Sequence, residues 1–368
     1  MRARSGARRS SSLANLVWVL AVSGCGEHPG LGRAEEPVVY GEDGRVEPYE
    51  ALDPSLEQTV AESAVAFVPN GWVDASGAVS GAPRLGDTAG LCPGQRFEEQ
   101  PAAAFCSGIL IDEDLVLTAA HCLRVFALDD FRVVAGYYYE RPGTLALGEA
   151  IAPLEILEER LDRADSAERL DFALLRLARS VTPPRRAAAV YRHLPMLADG
   201  DSVHLLASSA GVPFKVDSGG RIIDARATVG DYFRAATDSS HGASGGGAFD
   251  AALGLVGILA RGGRDLETTE AGCNRERVVA DDGAAEEELT YAHRAVEALC
   301  TVDPSRSLCR DDCEEPCRAA RSEATGLEAS CSIQPGHGHA CLDFLPFLLA
   351  LAGLQRRRGG AQLAPVQG

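Results

Sequence analysis

Apolar residues in this chain gather into short runs separated by Gly, Pro, Asn and Asp, and long helical periods are few. Ala64-Val65-Ala66-Phe67-Val68, Gly108-Ile109-Leu110-Ile111, Leu115-Val116-Leu117-Thr118, Phe131-Arg132-Val133-Val134-Ala135, Ser202-Val203-His204-Leu205-Leu206 and Leu255-Val256-Gly257-Ile258-Leu259 are brief and bounded by turn residues. That pattern predicts many short strands, and so a sandwich or a barrel. Two stretches depart from it. Residues 154–168 are charged and read as a helical surface excursion between strands. Residues 286–299, with Leu289, Ala292, Ala295, Val296 and Leu299 at helical spacing, read as a helix that closes the domain. No internal repeat is visible.

Composition sets the scale. Apolar residues are 46% and charged residues 24% of a 368-residue chain, enough for one large β domain with extensions or for two ordinary domains. The formal net charge of −18 argues against nucleic acid as a partner, because phosphate binding wants clustered Lys and Arg. The acidic excess suits solubility and some attraction for cationic substrates.

Both ends carry export-like features. Residues 1–24 read as a signal peptide, with Arg2, Arg4, Arg8 and Arg9 ahead of an apolar run from Leu13 to Val22 that is too short to span a bilayer. Val22-Ser23-Gly24-Cys25 resembles a bacterial lipobox, which makes Cys25 the expected lipidation site; the alternative is an ordinary cleavable signal with a chance cysteine. Near the other end stand Cys341, the apolar run from Phe344 to Leu354, and Arg356-Arg357-Arg358. Together they look like the cysteine-containing C-terminal sorting tags of myxobacterial surface proteins, with a buried or disordered tail as the alternative. The expected place is the cell envelope or surface, or the medium, with the membrane reached through a lipid anchor or the tail.

Eleven cysteines fit an oxidising compartment. Without Cys25 and Cys341 nine remain, an odd number, so complete pairing does not follow. Cys309, Cys313 and Cys317 lack the paired spacing of a zinc ribbon, and with Asp311, Asp312, Glu314 and Glu315 around them they suit an exposed disulfide knot. No metal or cofactor is expected.

The chemistry lies in an ordered series: Thr118-Ala119-Ala120-His121-Cys122, Asp171-Phe172-Ala173-Leu174-Leu175 and Gly242-Ala243-Ser244-Gly245-Gly246. Serine is a poor nucleophile until an imidazole takes its proton and a carboxylate holds that imidazole in the useful tautomer. Ser244 would attack a carbonyl, His121 would act as base and then acid, and Asp171 would orient His121. The backbone N–H groups of Gly242 and Ser244 would hold the oxyanion. An esterase built on a GxSxG elbow is contradicted by the order, which there places the histidine last.

These three segments resemble the trypsin-like (chymotrypsin-fold) serine peptidases, over roughly residues 38–300. The separations, 50 residues from His121 to Asp171 and 73 from Asp171 to Ser244, suit histidine and aspartate on a first barrel and serine on a second. The resemblance implies an all-β fold of two six-stranded antiparallel barrels with a C-terminal helix. It divides the chain into a signal at 1–24, a linker at 25–37, and a peptidase domain at 38–300. Within that domain the barrels fall near 60–185 and 190–285, with the closing helix at 286–299. A polar stalk at 301–340 and the tail at 341–368 follow. It also implies a Cys106–Cys122 bridge beside His121.

Tyr40-Gly41-Glu42-Asp43-Gly44-Arg45 and Gly211-Val212-Pro213-Phe214-Lys215 look like segments of the bacterial glutamyl-endopeptidase-like branch. Digestive trypsins carry an aspartate before the serine that pairs with a freed N-terminus; Ala243 removes that switch. Asp238, six residues before Ser244, stands where a trypsin pocket places the aspartate that favours Arg or Lys, and Arg261 and Gly262 are expected to line the same pocket. Ser240 replaces the cysteine that staples such a pocket, Arg261 could itself neutralise Asp238, and a glutamyl-binding histidine is missing after Gly257-Ile258. His241 is expected near the cleft, and His204 as a satisfied strand residue. The expected activity is an exported serine endopeptidase acting on proteins or peptides; the alternative is a protease-fold surface binding protein without turnover.

Overall fold

The computed structural model describes residues 39–310 apart from 164, 264 and 281–286. The signal-like start, Cys25, the distal stalk, and the tail with Cys341 lie outside the described residues. A two-residue strand, β1 (Val39–Tyr40), precedes a helix at Pro54–Ser63 whose first turn is capped by Asp53 accepting from Ser55 N.

The first sheet holds β2 (Ala64–Pro69), β3 (Cys106–Asp112), β4 (Leu115–Thr118), β5 (Phe131–Ala135), β6 (Glu149–Ile151), β7 (Pro153–Leu161) and β8 (Asp171–Leu177). Its order is β6-β5-β2-β3-β4-β8-β7. The two edge strands are halves of one stretch interrupted at Ala152 alone: Ile151 pairs with Val133 of β5, while Pro153 already pairs with Leu177 of β8. One bent strand thus serves both edges and rolls the sheet into a half-barrel. That is why seven strands stand where six were expected.

The second sheet is a closed barrel of six. It contains β9 (Ser202–Ala207), β10 (Lys215–Asp224), β11 (Tyr232–Ala236), β12 (Gly247–Phe249) and β13 (Leu255–Arg261). After the hairpin β14 (Leu266–Thr268) and β15 (Asn274–Glu276) and the short β16 (Val278–Val279), β17 (Glu287–Tyr291) completes it. The barrel order is β9-β10-β11-β17-β13-β12, and β1 lies parallel to β16. A helix at Ala292–Val302 follows without a break. The outline is the expected all-β one, two rolled sheets and a C-terminal helix.

Both helical readings need correction. Residues 153–161 are strand, because backbone pairing with β8 outweighs their charged composition. The helix expected at 286–299 begins at Ala292; Glu287–Tyr291 instead pair with both β11 and β13, since the barrel needs a sixth strand to close. Leu289, which kept helical spacing, points into the barrel.

Alternation along the strands sorts side chains between cores. Val65, Phe67, Leu110, Val116, Ala173 and Leu175 fill the first barrel, while Ala66, Ile109, Leu117, Phe172 and Leu174 face a core shared with Leu206, Phe249 and Ile258 of the second. Ala292, Ala295, Val296 and Leu299 join that shared core. With both faces covered, the strands read as nearly continuous apolar runs. Among the described residues no helix is long and apolar enough to cross a membrane.

Candidate active site

His121 lies in the 3-10 turn Ala120–Arg124 just after β4, and Asp171 is the first residue of β8, the neighbour of β4 in the sheet. That adjacency brings the two together. Nδ1 of His121 is 2.8 Å from Oδ2 of Asp171, and His121 N donates to Oδ1 at 3.2 Å. Asp171 is buried, and its own amide donates to Oγ1 of Thr290 on β17. With the Nδ1 proton directed at the carboxylate, Nε2 is left as the basic nitrogen. The His121 side chain keeps 35% of its surface exposed, enough to meet a substrate.

The serine turn approaches from the other barrel. Ser107 N on β3 donates to Ser244 O at 2.8 Å, and Sγ of Cys122, the residue after His121, lies 3.6 Å from the same oxygen. Cys106 and Cys122 are bridged, which fixes the His121 turn to β3. The grouping of Cys106, His121 and Cys122 within 4.8 Å offers no metal site while its sulfurs are bonded to each other.

Hydrogen bonds inside the turn explain its shape. His241 N donates to Oδ2 of Asp265, Ala243 N to Ser240 O, Gly245 N to Leu259 O, and Gly246 N to Ala243 O. Ser107 Oγ donates to Gly242 O at 3.0 Å. Across 241–246, the amides of Gly242 and Ser244 alone have no acceptor among the described residues. These are the two expected oxyanion donors. Gly245 has φ +80°, and a Cβ there would come within 2.2 Å of Ser107 O; Gly242 has φ +90° and would meet Gly211 N at 2.8 Å. Only glycine fits either place.

The expected specificity pocket is not assembled as the spacing suggested. Asp238 Oδ1 accepts from Tyr40 N at 2.7 Å and Oδ2 from Gly44 N at 2.6 Å, so both oxygens hold the leading segment. Asp238 lines a cavity of about 260 Å³ with Tyr40, Glu42, Asp217 and Arg221, and neither His121 nor Ser244 belongs to it. An incoming guanidinium would first have to displace residues 40–44. Arg261 does not neutralise Asp238 either. It donates to Arg169 O at 3.0 Å, lies 3.5 Å from Glu288, and its Nη2 stands 3.9 Å from Asp171 Oδ2. Gly262 follows it, buried, at the end of β13. His241 is exposed beside the serine turn.

A buried charge network behind the serine turn escaped the sequence reading. Asp238 N donates to Oδ2 of Asp217 at 2.7 Å, and burial followed by the nearby Asp238 charge pushes the Asp217 carboxyl up to about 7. Burial also raises Asp238, against the two backbone bonds that favour its charged form. Lys215 is buried, bonded to Glu47 at 3.1 Å; burial draws it down to about 8 while Glu47 pulls the other way. Arg45, fully buried, reaches Asp43, Glu276 and Ser240. Charged residues inside otherwise turn-like segments at 40–47 and 211–217 were the available signal.

Among the described residues the other disulfides are Cys92–Cys273 and Cys300–Cys309. Cys309 therefore closes on the C-terminal helix rather than within a knot with Cys313 and Cys317, which lie outside the described residues.

No curated protein matches the chain significantly. Among solved structures it is similar to the Vibrio cholerae VesB protease, at 18% identity and TM-score 0.40, over 65% of this chain and 63% of that one, so it spans less than two thirds of that protein's length. It is also similar to the Rv3671c protease of M. tuberculosis in an inactive form, at 16% identity and TM-score 0.40, over 73% and 99%. Human heparin binding protein gives 12% identity and TM-score 0.46, over 73% and 98%. The fold is chymotrypsin-like, and residues 106–258, from β3 into β13 and including His121, Asp171 and Ser244, match the family model of the trypsin-like peptidase domain.

Proposed function

We propose that the chain is a serine endopeptidase that hydrolyses protein or peptide substrates through Ser244, His121 and Asp171. The observation that carries the proposal is the pairing of a buried Asp171 with Nδ1 of His121 beside a serine turn whose Gly242 and Ser244 amides have no acceptor among the described residues. Ser244 Oγ attacks the scissile carbonyl carbon while Nε2 of His121 takes its proton. The carbonyl oxygen becomes an anion that receives the two free amides, and the anionic Asp171 stabilises the imidazolium. Collapse breaks the C–N bond, and the imidazolium gives its proton to the leaving amine. Water then repeats the attack on the acyl-enzyme with His121 as base, which releases the acid and restores Ser244.

Preference for Arg or Lys is left out of the proposal, because both Asp238 oxygens are engaged by Tyr40 and Gly44. Export fits the three disulfides among the described residues together with the signal-like residues 1–24; anchoring at Cys25 or through the tail belongs to the same proposal. A serine-directed fluorophosphonate is expected to label the folded protein at Ser244, and Ser244→Ala to remove the label. Folded protein that stays unlabelled would sink the peptidase reading and leave a protease-fold binding protein.

A further inference from the structure

We propose that Arg45 is a positioning residue for the oxyanion donors, one that acts from inside the chain, so that reactivity needs no cleavage ahead of Val39. The inference rests on the serine peptidase reading. The Arg45 side chain is 1% exposed. Its Nε and Nη2 bind the two oxygens of Asp43 at 2.9 and 2.8 Å, Nη2 also meets Glu276 Oε1 at 2.5 Å, and Nη1 donates to Ser240 Oγ at 2.8 Å. A guanidinium is planar, so bidentate seating on Asp43 fixes the direction of the remaining nitrogen. That nitrogen points at Ser240.

Ser240 opens the turn that matters. Its carbonyl accepts the Ala243 amide at 2.9 Å, closing the tight loop that contains Gly242. The same closure spends the Ala243 amide internally and leaves those of Gly242 and Ser244 on either side without acceptors among the described residues. The leading segment is locked to the turn from the other direction too, by Asp238 accepting from Tyr40 N and Gly44 N. Arg96 adds bonds to the carbonyls of Asp43 and Arg45. Every partner in this lock is a side chain or an internal peptide group. Ala243 is buried in the apolar core of the second barrel, so the turn offers no carboxylate there to a terminal ammonium.

The test compares the full chain, uncut ahead of Val39, with its variants in a peptide-ester assay and in binding of a peptide aldehyde, whose adduct develops the oxyanion. The uncut wild type is expected to react with fluorophosphonate at the rate of a sample cut there. Arg45→Ala is expected to lower kcat about 100-fold, the scale of one lost oxyanion donor, while KM moves little. Aldehyde affinity should fall in step with kcat, and millimolar guanidinium should restore part of both. If Arg45→Ala does not fold, Ser240→Ala decides, because it removes the acceptor and leaves Arg45 seated on Asp43 and Glu276; kcat should again fall with KM nearly unchanged. Wild-type kcat in folded Arg45→Ala or in Ser240→Ala overturns the inference. So does labelling that appears only after cleavage ahead of Val39, although the peptidase reading then stands. A wild type that labels in neither form removes the peptidase reading, and the inference with it.

Discussion

Asp217 shows how one residue's burial becomes a property measurable in solution. Its oxygens accept the amides of Gly219 and Asp238, yet burial and the adjacent Asp238 carboxylate hold its pKa near 7. The unfolded chain gives up this proton near the ordinary carboxylate value of 3.8. A raised folded pKa means the stabilisation is complete below about pH 4 and is lost as pH rises towards 7, by a few kcal/mol at about 1.4 kcal/mol per unit. Asp217→Asn cannot ionise, so its stability should decline across that interval less steeply than that of the wild type. Denaturant titrations from pH 4 to 8 check this, and parallel profiles would refute it. The same carboxylate cluster shows where sequence spacing stops being informative. Asp238 has the spacing of a pocket aspartate, but spacing does not state which way a side chain points; Tyr40 and Gly44, nearly two hundred residues earlier in the chain, decide it.

At the level of elements, the C-terminal helix is a small piece with wide contacts. Leu299 is fully buried, in the core that unites Leu206 and Ile258 of the second barrel with Phe172 and Leu174 of the first. Leu299→Ala is expected to cost about 2–5 kcal/mol, because atoms from several elements would have to move to fill the space. Urea unfolding measures it, and a loss below about 1 kcal/mol would mean the site collapses freely. Strands with apolar runs, such as β2, β3, β4 and β13, were legible because both of their faces are buried. β7 and β17 were not. β7 carries charge because it lies at an edge, and β17 carries two buried glutamates, Glu287 and Glu288, that no hydrophobic pattern would place in a barrel wall. The positions of His121 and Asp171 followed from motif order, and their contact from the pairing of β4 with β8. The Arg45 lock did not, since its partners Asp43, Ser240 and Glu276 share no local pattern.

For the whole molecule, the bent stretch 149–161 has a consequence in time as well as in shape. Its two pairings, Ile151 with Val133 and Leu161 with Asp171, each join residues fewer than twenty apart. The last wall of the other barrel joins Phe233 to Leu289, more than fifty apart. Closing a short loop costs less chain entropy than closing a long one, so contacts of low sequence separation are favoured in the folding transition state. Ile151→Val should therefore slow folding, and Leu289→Ala should mainly speed unfolding. Stopped-flow chevrons with the disulfides intact would show it, and equal φ-values at the two sites would count against it. On this account the bent stretch meets its two neighbours early. The closures that span more than fifty residues, Thr118 with Ala173 beside the His121–Asp171 pair as much as Phe233 with Leu289, come late, so that the catalytic base is set in place only as the fold completes.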